Sequence, residues 1–283
     1  MNTGKCLCGA VQYQMEGPYS FMTHCHCSMC RKHHGSAFAT FVSAPIANFR
    51  FTSGEALLGE YVSSEQGKRS FCTVCGSVAP IRAAEMGMVF APAGNLSGEL
   101  GIRPQSHIFV GSKAPWYRIA DALPQHQAFP PPFDIPGVPR PEVMPKSGVA
   151  QGSCLCGDVT YEYRGKPLLM QNCHCSRCRR SRSAAHATNA FVQAEQFQWV
   201  TGESRVTRFD LPEAKYFGAT FCKRCGSQVP HSVSGRDTYL VPAGSLDTDP
   251  GARPVGHIHV ASKAEWFDIA DDLPQHAELP PRA

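Results

Sequence analysis

The chain has 283 residues, 42% hydrophobic and 18% charged, with a formal net charge of +4, long enough for two ordinary domains with a core each. No apolar run approaches the length of an export signal or a membrane span, so a cytoplasmic protein with no membrane partner is expected. Counting 14 thiolates and four divalent ions brings the charge to about −2, which excludes the basic footprint of a nucleic-acid partner.

Read in order, the chain begins with Cys6-Leu7-Cys8-Gly9, and Ala10 to Met15 then alternates with period two, which predicts a strand. Next comes His24-Cys25-His26-Cys27-Ser28-Met29-Cys30-Arg31, with a short helix predicted over Ser28 to His34. Phe71-Cys72-Thr73-Val74-Cys75-Gly76 supplies a third cysteine group, His107 to Val110 predicts another strand, and Trp116 to Ala122 a second short helix. Prolines crowd the stretch from Phe129 to Pro145 and read as a semi-rigid extended linker.

The frame then repeats: Cys154-Leu155-Cys156-Gly157, Asn172-Cys173-His174-Cys175-Ser176-Arg177-Cys178-Arg179, and Phe221-Cys222-Lys223-Arg224-Cys225-Gly226. The offset is 148 until two extra residues enter the second copy, and 150 after that; seven cysteines per copy account for all 14. The expected organisation is mainly β: a first zinc-stapled domain at 1–133, a linker at 134–150 and a second such domain at 151–283. A duplication of this kind also allows the halves to pack on each other as an intramolecular pseudo-dimer.

Pairs spaced Cys-x-Cys and Cys-x-x-Cys hold metal as thiolates, whereas disulfides belong to exported chains. Cys6, Cys8, Cys72 and Cys75, with Cys154, Cys156, Cys222 and Cys225, therefore predict one closed tetrahedral zinc site per copy. Cys25, Cys27 and Cys30, and Cys173, Cys175 and Cys178, are one ligand short. Either the fourth position is open for water or substrate, as in a catalytic site, or a histidine closes it. In an extended run Cys25 and Cys27 point one way and His24 and His26 the other, which disfavours closure by a neighbour. Up to four Zn²⁺ per chain follow. His26 and His174 occur in both copies and read as groups that orient a thiolate or a bound water; His24 is Asn172 in the second copy, so it is not an indispensable ligand.

Together these motifs resemble the glutathione-dependent formaldehyde-activating enzyme family, which includes the centromere protein V relatives. The resemblance carries Cys-x-Cys-Gly, Cys-His-Cys-Ser-x-Cys-Arg, Phe-Cys-x-x-Cys-Gly-Ser and the closing His-Ile, Trp and Leu-Pro, and covers nearly all of each copy. It implies a β-tent fold, a structural four-cysteine zinc, and a catalytic zinc on Cys25, Cys27 and Cys30 and on Cys173, Cys175 and Cys178. The implied activity is that of a carbon–sulfur lyase running in reverse, joining a small aldehyde, formaldehyde, to a thiol, with glutathione as co-substrate. Within that picture His107 and His257 are candidate proton carriers, Lys113 and Lys263 candidate partners for a glutathione carboxylate, and Arg31 and Arg179 candidate screens of thiolate charge. Trp116 and Trp266 read as core. The copies diverge, Gly35 against Ser183 and Ser97 against Asp247, which predicts unequal activity. Two other readings stand beside this one: a zinc-stabilised binding module without catalysis, and a zinc-hydroxide hydrolase or hydratase acting on another carbonyl or imine.

Overall fold

The computed structural model describes residues 1–65, 67–130 and 143–281, so most of the proline-rich linker reading lies outside the described residues. Short strands dominate, in two halves of one architecture, the mainly β arrangement of tandem β-tents expected above. In the first half an antiparallel sheet runs in the order Leu96–Ser97, Asn2–Lys5, Gln12–Met15, Phe49–Ser53. A five-stranded sheet follows the order Ser106–Ile108, Phe21–Cys25, Ala39–Pro45, Met88–Pro92, Ile81–Ala83. Its first pair is parallel and the others antiparallel. The second half repeats this, again with His257–Ile258 parallel to Leu169–Cys173. Each cysteine triad thus starts at the end of a strand held from both sides.

Helix α1 (Ser28–His34) falls where the sequence places it, and α2 (Ser176–Arg182) is its counterpart. The Cys27 sulfur caps α1 by accepting from the Cys30 N–H at 3.3 Å, and Cys175 does the same for α2. Basic residues fill each last turn, where they oppose the negative end of the helix dipole. Gly35 ends α1 in the left-handed region; Ser183 takes that conformation at the end of α2, and its Oγ donates to the Val78 carbonyl of the first half.

Two expectations need correction. Trp116 to Ala122 is not helical: one turn closes from Tyr117 N–H to Ala114 C=O, and Asp121 then turns back to accept from the Leu123 N–H. The strand at His107 ends at Ile108, and its partner at Ile258, because Phe109 and His259 adopt φ of 57° and 56°.

One apolar core draws on both halves, with Tyr13, Phe38 and Trp116 from the first and Tyr161, Met170 and Trp266 from the second. Close approach requires glycine at two related points. A Cβ on Gly94 would lie 2.3 Å from Ala184 N, and one on Gly244 2.3 Å from Ser36 N. Side chains then pin the contact: Ser36 Oγ donates to the His186 carbonyl at 2.6 Å, His34 Nδ1 to that of Arg182 at 2.8 Å, and Gln228 Nε2 to that of Gly76 at 2.9 Å. Lys32 on α1 pairs with Asp247 at 2.5 Å and also donates to Ser153 Oγ, which itself donates to Asp247 at 2.6 Å. Among the described residues no helix is long and apolar enough to cross a membrane.

Candidate metal centres

All 14 cysteines are free thiols gathered into the four groups that the spacing defines. Within each group the sulfurs lie within 4.8 Å of one another. In the four-cysteine groups Cys6 and Cys8 are 3.4 Å apart and Cys8 and Cys72 3.8 Å, with 3.4 and 3.8 Å repeated at Cys154, Cys156 and Cys222. Thiolates at about 2.3 Å from a tetrahedral Zn²⁺ sit roughly 3.8 Å from each other, so the donor set suits such an ion. Backbone donors tune the sulfurs: Val11 N–H reaches Cys6 and Val159 N–H reaches Cys154, each at 3.3 Å. Ser77 Oγ bridges the Leu7 N–H and the Cys75 sulfur, and Ser227 does the same in the second half.

The triads are less crowded. No histidine, aspartate or glutamate among the described residues adds a fourth ligand atom to either group. In the first half the three sulfurs line a cleft of 540 Å³, within the size range of small-molecule sites. Without a cation the thiols share charge unevenly. Hydrogen bonds with Cys27 and Cys30, together with burial, push Cys25 well above the usual thiol range; hydrogen bonds from Cys25 and Cys27, and then the Arg69 guanidinium, hold Cys30 well below it. Arg69 is buried, with Nη1 3.5 Å from the Cys30 sulfur and Nε donating to Ser63 Oγ at 3.0 Å. Sequence reasoning missed this residue. Its signal lay in the mismatch between copies: Arg69 pairs across the sheet with Tyr61 where Ala219 pairs with Phe209.

The predicted histidines form two matching chains. His26 Nε2 lies 2.8 Å from His107 Nδ1, and His107 Nε2 lies 2.9 Å from Asp121; His174, His257 and Asp271 repeat this at 2.8 and 3.0 Å. With the carboxylate accepting from His107 Nε2–H, Nδ1 accepts from His26 Nε2–H, and His26 Nδ1 is left buried without a hydrogen-bond partner, as is His174 Nδ1. Burial drives both rings toward the neutral form, His174 down to about 2. The two chains meet at a cavity of 20 Å³ between the halves, lined by His107, Asp121, His257 and Asp271 among others, with room for about one water. Asp121 and Asp271 were legible only as repeated positions.

Lys113 and Lys263 point their ammonium groups at backbone carbonyls of their own loops, at Tyr117 (2.5 Å) and at Phe267. Arg31 and Arg179 reach carbonyls as well, Ser112 and Ser262, each at 3.2 Å, and so brace the loops beside the triads. Trp116 and Trp266 are buried.

Fold and site define a duplicated, thiol-rich β protein able to hold a thiophilic metal at four places. The sequence profile described as "Glutathione-dependent formaldehyde-activating enzyme" matches residues 1–112 and 149–262, and the chain belongs to that family. No curated protein sequence matches it. A crystal structure of a Rhodobacter sphaeroides protein is similar at 26% identity, over 34% of this chain and 89% of its own, with a TM-score of 0.30.

Metal uptake competes with protons for the thiols. Behind the hydrogen bonds from Cys25 and Cys27, Arg69 also holds the Cys30 thiol pKa down, so Arg69→Ala should raise it, and the N-terminal triad should then release metal at a higher pH. The C-terminal triad, with Ala219 at the matching position, should not move. Metal release followed against pH in the presence of a chelator checks this; an unchanged N-terminal profile would remove Arg69 from the account.

Proposed function

We propose that the chain is a zinc-dependent enzyme of the cytoplasm that makes and breaks a carbon–sulfur bond between a thiol and a small aldehyde, with the two cysteine triads as its reaction centres. The four-cysteine groups are staples. The observation that carries this reading is that no fourth protein ligand among the described residues joins either triad, while in the first half the three sulfurs line a cleft. A binding module built on closed triads would need a fourth protein ligand, and none is in place among the described residues.

Bound there, zinc would supply Lewis acidity, favouring a thiolate at neutral pH or polarising a carbonyl. The chain's own groups do the rest. Apolar side chains line the cleft on which the sulfurs open, and Arg69 offsets thiolate charge beside Cys30. Asp121 and His107 fix the tautomer and orientation of His26, whose backbone N–H is tied to Ile108 C=O at 2.9 Å, holding the ligand-bearing strand end in place. In the addition the sulfur pair forms the C–S bond, the carbonyl π pair moves to oxygen, and the proton lost by the thiol ends on that oxygen. Nothing is oxidised or reduced. A reducing compartment keeps the 14 thiols available.

Exchange NMR on formaldehyde and glutathione tests the proposal. Metal-loaded protein should accelerate formation of the hydroxymethyl thioether over the spontaneous rate, and metal-stripped protein and the Cys27→Ala/Cys175→Ala double variant should not. If the loaded protein gave no acceleration with glutathione or with any other thiol offered, the carbon–sulfur reading would be withdrawn.

A further inference from the structure

The two triads share their ligands but not their surroundings. Around the N-terminal triad the cleft is walled by Phe21, Phe41, Phe90, Phe109 and Phe129. Four of the rings pack on one another: Phe21 lies 6.0 Å from both Phe90 and Phe129, and Phe109 lies 6.3 Å from Phe129. Among the described residues the charges lining it are Glu65 and Lys68, both exposed, and Arg69, which is turned onto the Cys30 sulfur and Ser63. In the second half the repeat register puts Asn189 in place of Phe41, His259 for Phe109, Arg177 for Met29 and Arg236 for Met86, and the leucines standing for Phe21 and Phe129 are 37% and 65% exposed. One half has built an aromatic wall where the other has polar and cationic side chains.

We propose that the N-terminal centre takes a substrate whose reacting thiol or aldehyde is attached to an aromatic body, rather than glutathione. This rests on the reading of the triads as reaction centres. Glutathione carries two carboxylates and an ammonium, and placing these against packed phenylalanine rings strips them of water without returning partners. An aromatic body instead gains edge-to-face and offset contacts with the same rings and loses no polar hydration. The cleft is large enough for a ring and its linker beyond the sulfurs.

The test uses zinc-loaded full-length protein carrying Cys175→Ala, so that the intact triad is the N-terminal one, titrated with benzyl mercaptan, benzaldehyde and glutathione and read by calorimetry and by ligand-observed NMR. At least one aromatic probe should bind about ten-fold or more tighter than glutathione, and which of the two does so tells whether the ring arrives with the thiol or with the carbonyl. Phe109→His should weaken that probe by about ten-fold. His259 occupies the matching position with the same positive φ, so the backbone tolerates the exchange. Met29→Arg, which copies Arg177 on the helix of the other half, is a second variant with the same expected direction. Glutathione binding as tightly as the better aromatic probe, or aromatic binding unaltered in both variants, would overturn the proposal and leave the triad reading standing. Aromatic binding unaltered by Cys27→Ala would overturn both.

Discussion

Cys72→Ala is expected to unfold the whole chain, not only the first half. Cys72 is fully buried and completes a four-sulfur group whose members come from the start of the chain, from the end of the strand Gly67–Cys72 that pairs with Leu58–Ser64, and from the turn after it. A structural zinc contributes on the order of 10 kcal/mol or more to folding, as large as the total stability of an ordinary domain. Losing one of four thiolates therefore removes more than the first half can spare. The second half shares its core with the first, through Phe38, Phe267, Phe71 and Phe221 as well as the glycine contacts, and should melt with it in a single transition. Cys27→Ala is the contrast: one metal ion lost, far-UV circular dichroism and melting temperature close to those of the parent. Native-like melting of the Cys72 variant, or collapse of the Cys27 variant, would reverse the assignment of staple and reaction centre.

The second large effect is expected at Lys32. Its ammonium and the Asp247 carboxylate are 5% and 6% exposed and bind across the junction of the halves, with Ser153 completing the set. Lys32→Met leaves a buried carboxylate without its cation, at a cost of about 3–5 kcal/mol. Replacing both members, as in Lys32→Met with Asp247→Leu, should restore most of that loss, since a matched apolar pair carries no desolvation penalty. Urea unfolding of the parent, the single variants and the double variant measures the coupling directly. Equal destabilisation by the single and double changes would mean the pair contributes packing rather than charge.

What could be read from the sequence was local. The cysteine groups are written as short spacings repeated at a fixed offset, and α1 is announced by a ligand sulfur that doubles as its cap. The open position could only be posed as a question, because whether a distant histidine reaches the metal depends on tertiary geometry; His107 turned out to sit against His26 rather than against the sulfurs. Arg69 lies three residues before Cys72 on a strand, where a lone arginine ordinarily faces solvent, and only the chain's return toward Cys30 gives it a role. The aromatic wall was invisible for a similar reason. Phe21, Phe41, Phe109 and Phe129 are spread over more than one hundred residues, and each read alone is an ordinary strand or loop residue. The same holds for the Asp247 difference between copies, which sequence could mark but which gained meaning only as the partner of Lys32.

The measurement that bears most directly on the central claim is the metal content of the full chain combined with X-ray absorption at the zinc edge. Four ions per chain are expected, two ringed by four sulfurs and two by three sulfurs and one oxygen or nitrogen from outside the protein. Two ions per chain, with the triads empty or joined as disulfides, would contradict it.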